Sequence, residues 1–304
     1  MTNKILDLIR RGKQPGADRV LIYGPEGVGK STVASQAESP VFFATEDGVR
    51  FLDTASFPQA KDYDDGLAQI DALLTGDHEY KTLVIDTIDW LEALIVDAVV
   101  KENSWESIED PGWGKGFVQV GIKWRNVLSL LDRIRAKGIQ IVMLAHSDVK
   151  MFNSPDEEGY SRYVLAMSKV GAALCKQWCD SVLFARYETF TKKGTDKRVQ
   201  GISSGKRVLE TTWHAAFDAK NRCGLPEQIL LSWDAYKTAR DSDGADAVKS
   251  LKEQCAKLVA SFEDKGKQAK AAKYIAGLGD DVAKLSGGLD WLREKLEDQQ
   301  EGTE

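Results

Sequence analysis

The stretch Gly24-Pro25-Glu26-Gly27-Val28-Gly29-Lys30-Ser31 decides the reading of this chain, because it fits the pattern G-x-x-x-x-G-K-[ST]. Before it, Arg19-Val20-Leu21-Ile22-Tyr23 has the composition of a short buried strand, and Ser31 to Ala37 can open a helix. A strand, a glycine-rich turn and a helix N-terminus together aim backbone N–H groups at a phosphate. The glycines let the main chain approach closely and adopt angles that side chains forbid. In that geometry Lys30 reaches the β- and γ-phosphates of ATP, and the Ser31 hydroxyl ligates Mg²⁺. Gly24, Pro25, Glu26, Gly27, Val28, Gly29, Lys30, Ser31 and Thr32 are the expected nucleotide-binding residues.

The composition sets outer bounds on this reading. At 304 residues the chain can hold one large domain and a smaller appendage. A hydrophobic share of 42% and a charged share of 29% are those of an ordinary soluble globular protein. A net charge of −6 argues against a wholly basic nucleic-acid coat but leaves room for a local basic groove. No apolar run approaches the ~18–20 residues of a membrane span. The N-terminus, with Lys4, Asp7, Arg10, Arg11 and Lys13, lacks the apolar centre of a signal peptide. A cytoplasmic location is expected, with no membrane partner. The four cysteines form no disulfide framework, and Cys175 and Cys179 read as reduced, packed thiols on a helix.

Along the chain, apolar runs suited to buried strands alternate with helical patterns. Val20–Tyr23, Val41–Ala44, Thr82–Ile85, Ile139–Leu144 and Ser181–Ala185 read as strands. Asp64–Leu74, Ile88–Lys101 and Gly121–Lys137 read as helices between them. This alternation predicts an α/β fold with a mostly parallel central sheet flanked by helices. Farther on, Thr189–Lys193, Arg198–Ile202 and Arg207–Thr211 read as short strands of a hairpin-rich edge around Gly194 and Gly205, with one more strand at Ile229–Trp233. Asp241-Ser242-Asp243-Gly244 reads as a linker, which puts the core at residues 1–240. Residues 241–304 then form a C-terminal helical region with an acidic tail. Its helices are expected at Ala245–Glu263, Gln268–Leu278 and Gly288–Gln299, with Val248, Leu251, Cys255, Leu258, Val259 and Phe262 as a core-facing stripe.

Two strands end in acids. Thr82-Leu83-Val84-Ile85-Asp86 places a carboxylate where the Mg²⁺ of a phosphate-binding loop sits. Val41-Phe42-Phe43-Ala44-Thr45-Glu46-Asp47 runs into a pair of them. In an open parallel sheet the C-terminal strand ends converge on the ligand crevice, so Glu46 is the expected catalytic base that orients water. Asp47 stands behind it, with helix capping as its other reading.

These elements in this order resemble the ATPase core of RecA-type recombinases. The resemblance is closest to short phage proteins with a RecA-like core, the Sak-type single-strand annealing and recombination ATPases, and it covers about residues 17–235. Ala219-Lys220-Asn221-Arg222 looks like the Lys-Asn-Lys segment of bacterial RecA. The resemblance implies that Lys220 and Arg222 enter a neighbouring subunit's ATP site, so a homo-oligomer with shared sites is expected. It puts His146, which ends Ile141-Val142-Met143-Leu144-Ala145, where the family keeps a glutamine that senses the γ-phosphate. Histidine can donate a hydrogen bond there and also titrates near neutrality. The resemblance further implies DNA-binding loops at Glu102–Val118 and Ser147–Met167. The first contains Trp105, Trp113, Lys115 and Phe117, and the second Lys150, Phe152, Tyr160, Arg162 and Tyr163. Aromatics with a few bases suit single-stranded DNA, while Glu106, Glu109, Asp110 and Asp156-Glu157-Glu158 oppose phosphate.

The expected function is a Mg²⁺-dependent ATPase acting on single-stranded DNA in phage recombination or annealing. The C-terminal region is a possible docking point for a single-strand-binding or recombination partner. Two other readings stay open: a nucleotide switch or loader whose turnover DNA does not stimulate, and a small-molecule or nucleotide kinase. No Asn-Lys-x-Asp stretch is present to read guanine.

Overall fold

The computed structural model describes residues 9, 11, 16–153, 158–193, 199–241, 245–262, 264–279, 285, 287–289, 291–293 and 295–296. Nine strands form one sheet among them: β1 (Arg19–Gly24), β2 (Pro40–Ala44), β3 (Ala55–Ser56), β4 (Thr82–Asp86), β5 (Gln140–Phe152), β6 (Tyr160–Leu165), β7 (Ser181–Lys193), β8 (Val199–Glu210) and β9 (Gln228–Leu230). The order is β3-β2-β4-β5-β1-β7-β8-β9, with β6 paired to β5 off that path. Strands β3 through β7 in this order run parallel, and β8 and β9 extend the sheet antiparallel. The helices are α1 (Lys30–Ala34), α2 (Tyr63–Thr75), α3 (Ile88–Asn103), α4 (Lys115–Ala136), α5 (Lys169–Trp178), α6 (Trp233–Asp241), α7 (Ala245–Ala260) and α8 (Lys265–Gly277).

Strand parity explains the layers. Side chains alternate between the two faces of a strand, and both faces of this sheet are covered, so the middle positions of the central strands are apolar on both sides. Leu21, Tyr23, Phe43, Leu83, Ile85, Ile141 and Met143 pack against α2, α3, α4 and α5 through residues such as Ile70, Leu91, Ile95, Trp124 and Leu131. Val20, Ile22, Phe42, Ala44, Val84, Val142 and Leu144 lie on the other face with Val33 of α1 and with Trp233 and Tyr236 of α6. Val120, Trp124, Val127, Leu131 and Ile134 give α4 its buried stripe, at the three- and four-residue spacing of a helix face. Asp62 caps α2 by accepting from the Asp65 N–H, and Ser168 caps α5 by accepting from Gly171.

The mostly parallel α/β sheet is as expected, but several elements depart from the sequence reading. The segment Ser147–Met167 is an antiparallel hairpin rather than a loop: β5 continues to Phe152 and pairs with β6 from Ser147↔Leu165 to Phe152↔Tyr160. The connection in Glu102–Val118 is shorter than expected, because α3 runs to Asn103 and α4 starts at Lys115, six residues before Gly121. Of the expected strands Arg198–Ile202 and Arg207–Thr211, Val199–Ile202 and Arg207–Glu210 belong to one strand, β8, which pairs with a long β7, while Arg198 lies outside the described residues. Trp233 is not the end of a strand; it opens α6 and its ring packs on Tyr236 at 5.2 Å.

In the C-terminal region Cys255, Phe262, Ala271, Leu289 and Leu292 form a separate buried cluster, with Leu251, Leu258 and Val259 packed on it. Residues 285, 287–289, 291–293 and 295–296 are helical, within or beside the expected third helix. Cys175 and Cys179 are buried free thiols, and burial pushes the Cys179 thiol up to about 12. Outside the described residues lie Lys4, Asp7, Arg10, Lys13, Asp156, Glu157, Gly194, the linker residues 242–244 and the acidic tail from 297.

Candidate functional site

Strand β1 delivers the glycine-rich loop to the C-terminal edge of the sheet. Gly24 is required there because a Cβ would run into the Ala185 carbonyl oxygen of β7. Gly29 has φ 106° just before α1, and a Cβ there would also come within 2.7 Å of Arg207 Nη1. Lys30 is buried, and its ammonium donates to the carbonyls of Gly24 at 3.1 Å and Pro25 at 3.0 Å. Burial pulls the Lys30 ammonium below the ordinary lysine range, against the pull of Asp86, Asp89, Glu46 and Glu26.

The outer side of the loop is held by a pair that the sequence did not reveal. Tyr187 of β7 and Arg207 of β8 are directly opposite each other in the antiparallel register. The Tyr187 hydroxyl donates to the Gly27 carbonyl at 3.1 Å, and Arg207 donates to the Val28 carbonyl at 3.2 Å. No local motif marks either residue, since their place depends on the pairing of β7 with β8.

The neighbouring strand ends are tied together by Thr45. Its backbone N–H and hydroxyl donate to the Asp86 carbonyl at 2.9 and 3.0 Å, and the hydroxyl accepts from the Thr87 N–H at 2.8 Å. The end of β2 is thereby fixed beside the end of β4, with Glu46 next to Asp86. Parity puts Asp86 on the α1 face of the sheet, where its carboxylate meets the Ser31 hydroxyl. Burial raises the Asp86 carboxyl above its usual range, opposed by Ser31 and Lys30. Burial also raises Glu46, with Asp86 and Asp89 adding to the rise while His146 and Lys30 oppose it.

Strand β5 stands between β1 and β4, with His146 at the level of Gly24. Asp89, in the first turn of α3, accepts from the His146 backbone N–H at 3.0 Å and bonds the ring Nδ1 at 2.8 Å. That bond raises His146 above the ordinary histidine range, against the effect of its burial. Burial alone would raise Asp89, but its bonds to His146 outweigh it and hold the carboxyl low. Asp89 was missed in the sequence because an acid near a helix start reads as a favourable charge for the helix dipole.

Glu26, Gly27, Gly29, Lys30, Ser31, Thr32, Glu46, Gly48, Asp86, Thr87 and His146 line one cleft of about 490 Å³. Gly24 and Val28 contribute backbone behind it, with the Val28 side chain in the core. Pro25 faces a second cavity, lined by Tyr163, Phe184, Tyr187, His214 and Phe217. A hydroxyl and a carboxylate, Ser31 and Asp86, are hard oxygen donors that fit Mg²⁺, which takes one or two carboxylates plus substrate phosphates. No group of three or more His, Cys, Asp or Glu side chains among the described residues would hold a metal by itself.

Lys220 and Arg222 are not brought to this cleft. Lys220 pairs with Val182, and Arg222 reaches Asp180 at 3.5 Å, both toward the N-terminal end of the sheet. The register Val20↔Ser181 puts them on the order of 10 Å or more along the strands from Gly24. The expected nucleic-acid residues also divide. Trp113, Phe152, Tyr163, Lys115 and Lys150 are exposed, but Trp105 and Phe117 pack partly on the core. Arg162 is buried in an ion pair with Asp218 at 2.6 Å, so it is not a free phosphate contact.

No helix of the described residues is long and apolar enough to cross a membrane. A search of curated proteins finds no match to the sequence. Among solved structures, the crystal structure of the RadB recombinase is similar at 17% identity and a TM-score of 0.36, over 66% of this chain and 82% of that one. The AAA domain family matches residues 17–223, about two-thirds of the chain and the whole of the cleft. The protein belongs to the AAA domain family and is a nucleotide-binding P-loop ATPase.

Proposed function

We propose that this protein is a Mg²⁺-dependent, RecA-like ATPase of phage recombination or annealing that acts on single-stranded DNA. The observation that carries this reading is the continuity of β5. The strand passes His146 in the nucleotide cleft and runs on to Phe152, in a hairpin that exposes Val149, Met151, Phe152 and Tyr163. Exposed aromatics beside a nucleotide site suit base stacking, a sequence-tolerant way to hold a single strand.

In this mechanism the loop amides and Lys30 bind the β- and γ-phosphates, while Tyr187 and Arg207 hold the loop from outside. Ser31 and Asp86 would hold Mg²⁺, which neutralises charge that develops on the phosphates. Glu46 orients the attacking water and takes its proton, with a carboxyl already raised by burial toward the working pH. Lys220 and Arg222, remote from their own cleft, would complete the site of a neighbouring copy as an arginine finger does.

One assay tests this reading: phosphate release from ATP, with and without single-stranded DNA, across a salt series. Stimulation that fades with salt is expected. Turnover indifferent to DNA supports a switch, and a phosphorylated acceptor in place of free phosphate supports a kinase. In the same assay, mixing inactive Lys30→Ala and Arg222→Ala proteins regains turnover if sites are shared. No recovery at any ratio rejects the trans assignment.

A further inference from the structure

The ring of His146 lies between two things that only accept hydrogen bonds. On one side is the Asp89 carboxylate, 2.8 Å from Nδ1. On the other is the cleft that His146 lines together with Lys30 and Ser31, where phosphate oxygens would sit. A neutral imidazole has one donor and one acceptor. With its proton on Nδ1 and given to Asp89, a neutral ring would turn the Nε2 lone pair toward phosphate. Only the imidazolium donates on both sides.

Resting on the reading of the cleft as a nucleotide site, we propose that Asp89 is a positioning residue that makes His146 a cationic hydrogen-bond donor to the terminal phosphate. Two bonds from one carboxylate, to Nδ1 and to the His146 backbone N–H, fix both the ring and the strand at this point. The Asp89 side chain is 11% exposed, so its charge is poorly screened and acts at close range. The groups facing His146 are Asp89 from α3, Glu46 beyond β2, Asp86 from β4 and Lys30 from α1. The bond to Asp89 and the charge of Glu46 favour the protonated ring, burial and Lys30 oppose it, and the pKa of His146 lies above its ordinary value.

Glu92, one turn along α3 from Asp89, shows that this helix organises the hairpin from both legs. Its carboxylate accepts from the Ser168 N–H at 2.7 Å and from the Ser168 hydroxyl at 2.8 Å, just beyond β6. Asp89→Asn keeps an oxygen that can accept from the His146 N–H, and Glu92 still holds Ser168, so the substitution changes the partner of the ring without releasing the hairpin.

The test is ATP turnover of the full chain with Mg²⁺ between pH 5.5 and 8.5, for wild type, Asp89→Asn, His146→Gln and the double variant. Wild-type turnover should fall as pH rises through the raised His146 pKa. Asp89→Asn should move that fall to lower pH and cost about tenfold or more in kcat at neutral pH, the size of a charge-assisted hydrogen bond. In the His146→Gln background the donor is a neutral amide, so adding Asp89→Asn should cost less than about twofold, with no such limb in the profile. An unshifted profile in Asp89→Asn, or an equal cost in both backgrounds, overturns the proposal. The His146 ring titration by NMR reads the same point without turnover: it must drop in Asp89→Asn, and an unchanged midpoint also overturns it. A wild type without Mg²⁺-dependent phosphate release, yet with the His146 titration lowered by Asp89→Asn, would reject the nucleotide reading instead.

Discussion

The two ends of the central sheet use charge in opposite ways. At the N-terminal end, Arg19 grips Asp180 through Nε at 3.0 Å and Nη2 at 2.7 Å, and Arg240 grips Asp18 at 2.7 and 3.0 Å. Burial works to raise the Asp180 carboxyl, but Arg19 more than cancels it and the group ends below its usual range. At the C-terminal end, Glu46 and Asp86 sit above their ordinary range and Lys30 below its own, because burial there is not fully compensated. Matched pairs satisfy one another and hold the fold. Mismatched, desolvated groups are what a polyphosphate and a divalent cation would complete. Beside the cleft, Asp89 and His146 break the contrast as a matched pair.

The largest effect that would break this comparison is on catalysis. Glu46→Gln keeps the shape of the cleft but removes the base, and should lower kcat by about 10²–10³-fold while ATP binding is retained. Turnover within about threefold of wild type would move the base to Asp47 or elsewhere. At the opposite end, Arg19→Ala leaves the half-buried Asp180 with the backbone N–H of residue 19 at 3.2 Å and the loose contact from Arg222. It should cost about 2–3 kcal/mol in denaturant unfolding and leave the KM for ATP unchanged. A loss of nucleotide affinity from Arg19→Ala would mean that the two ends are not separable.

Much of this contrast was legible in the sequence. The loop from Gly24 to Ser31 and the acids Glu46 and Asp86 each close a strand, and strand ends of a parallel sheet meet by topology. The partners supplied by pairing register or helix packing were not. Asp89 meets His146 only because α3 lies against β5, and Tyr187 with Arg207 reaches the loop only through the β7–β8 register. The outer half of β5 read as a loop because Ser147–Met167 falls where the RecA-type resemblance implies a DNA-binding loop, and a two-stranded arm with little core behind it carries no buried apolar run to announce a strand. Arg162 read as a phosphate contact, since nothing local announces Asp218 as its partner.

If the cleft sets aside stability for a ligand, thermal unfolding of Asp86→Asn will show it. Folding raises the Asp86 pKa, so the ionised carboxylate costs stability above its unfolded pKa, and the cost disappears as pH falls through that value. At pH 7 without ligand, Asp86→Asn should melt higher than wild type by about 2 °C or more. With Mg²⁺ and ATP at saturating concentration the order should reverse, since wild type gains about 2.7 kcal/mol at a hundredfold excess over Kd and the variant gains much less. An Asp86→Asn protein that melts below wild type without ligand, or that gains as much from Mg²⁺ and ATP, would contradict this reading.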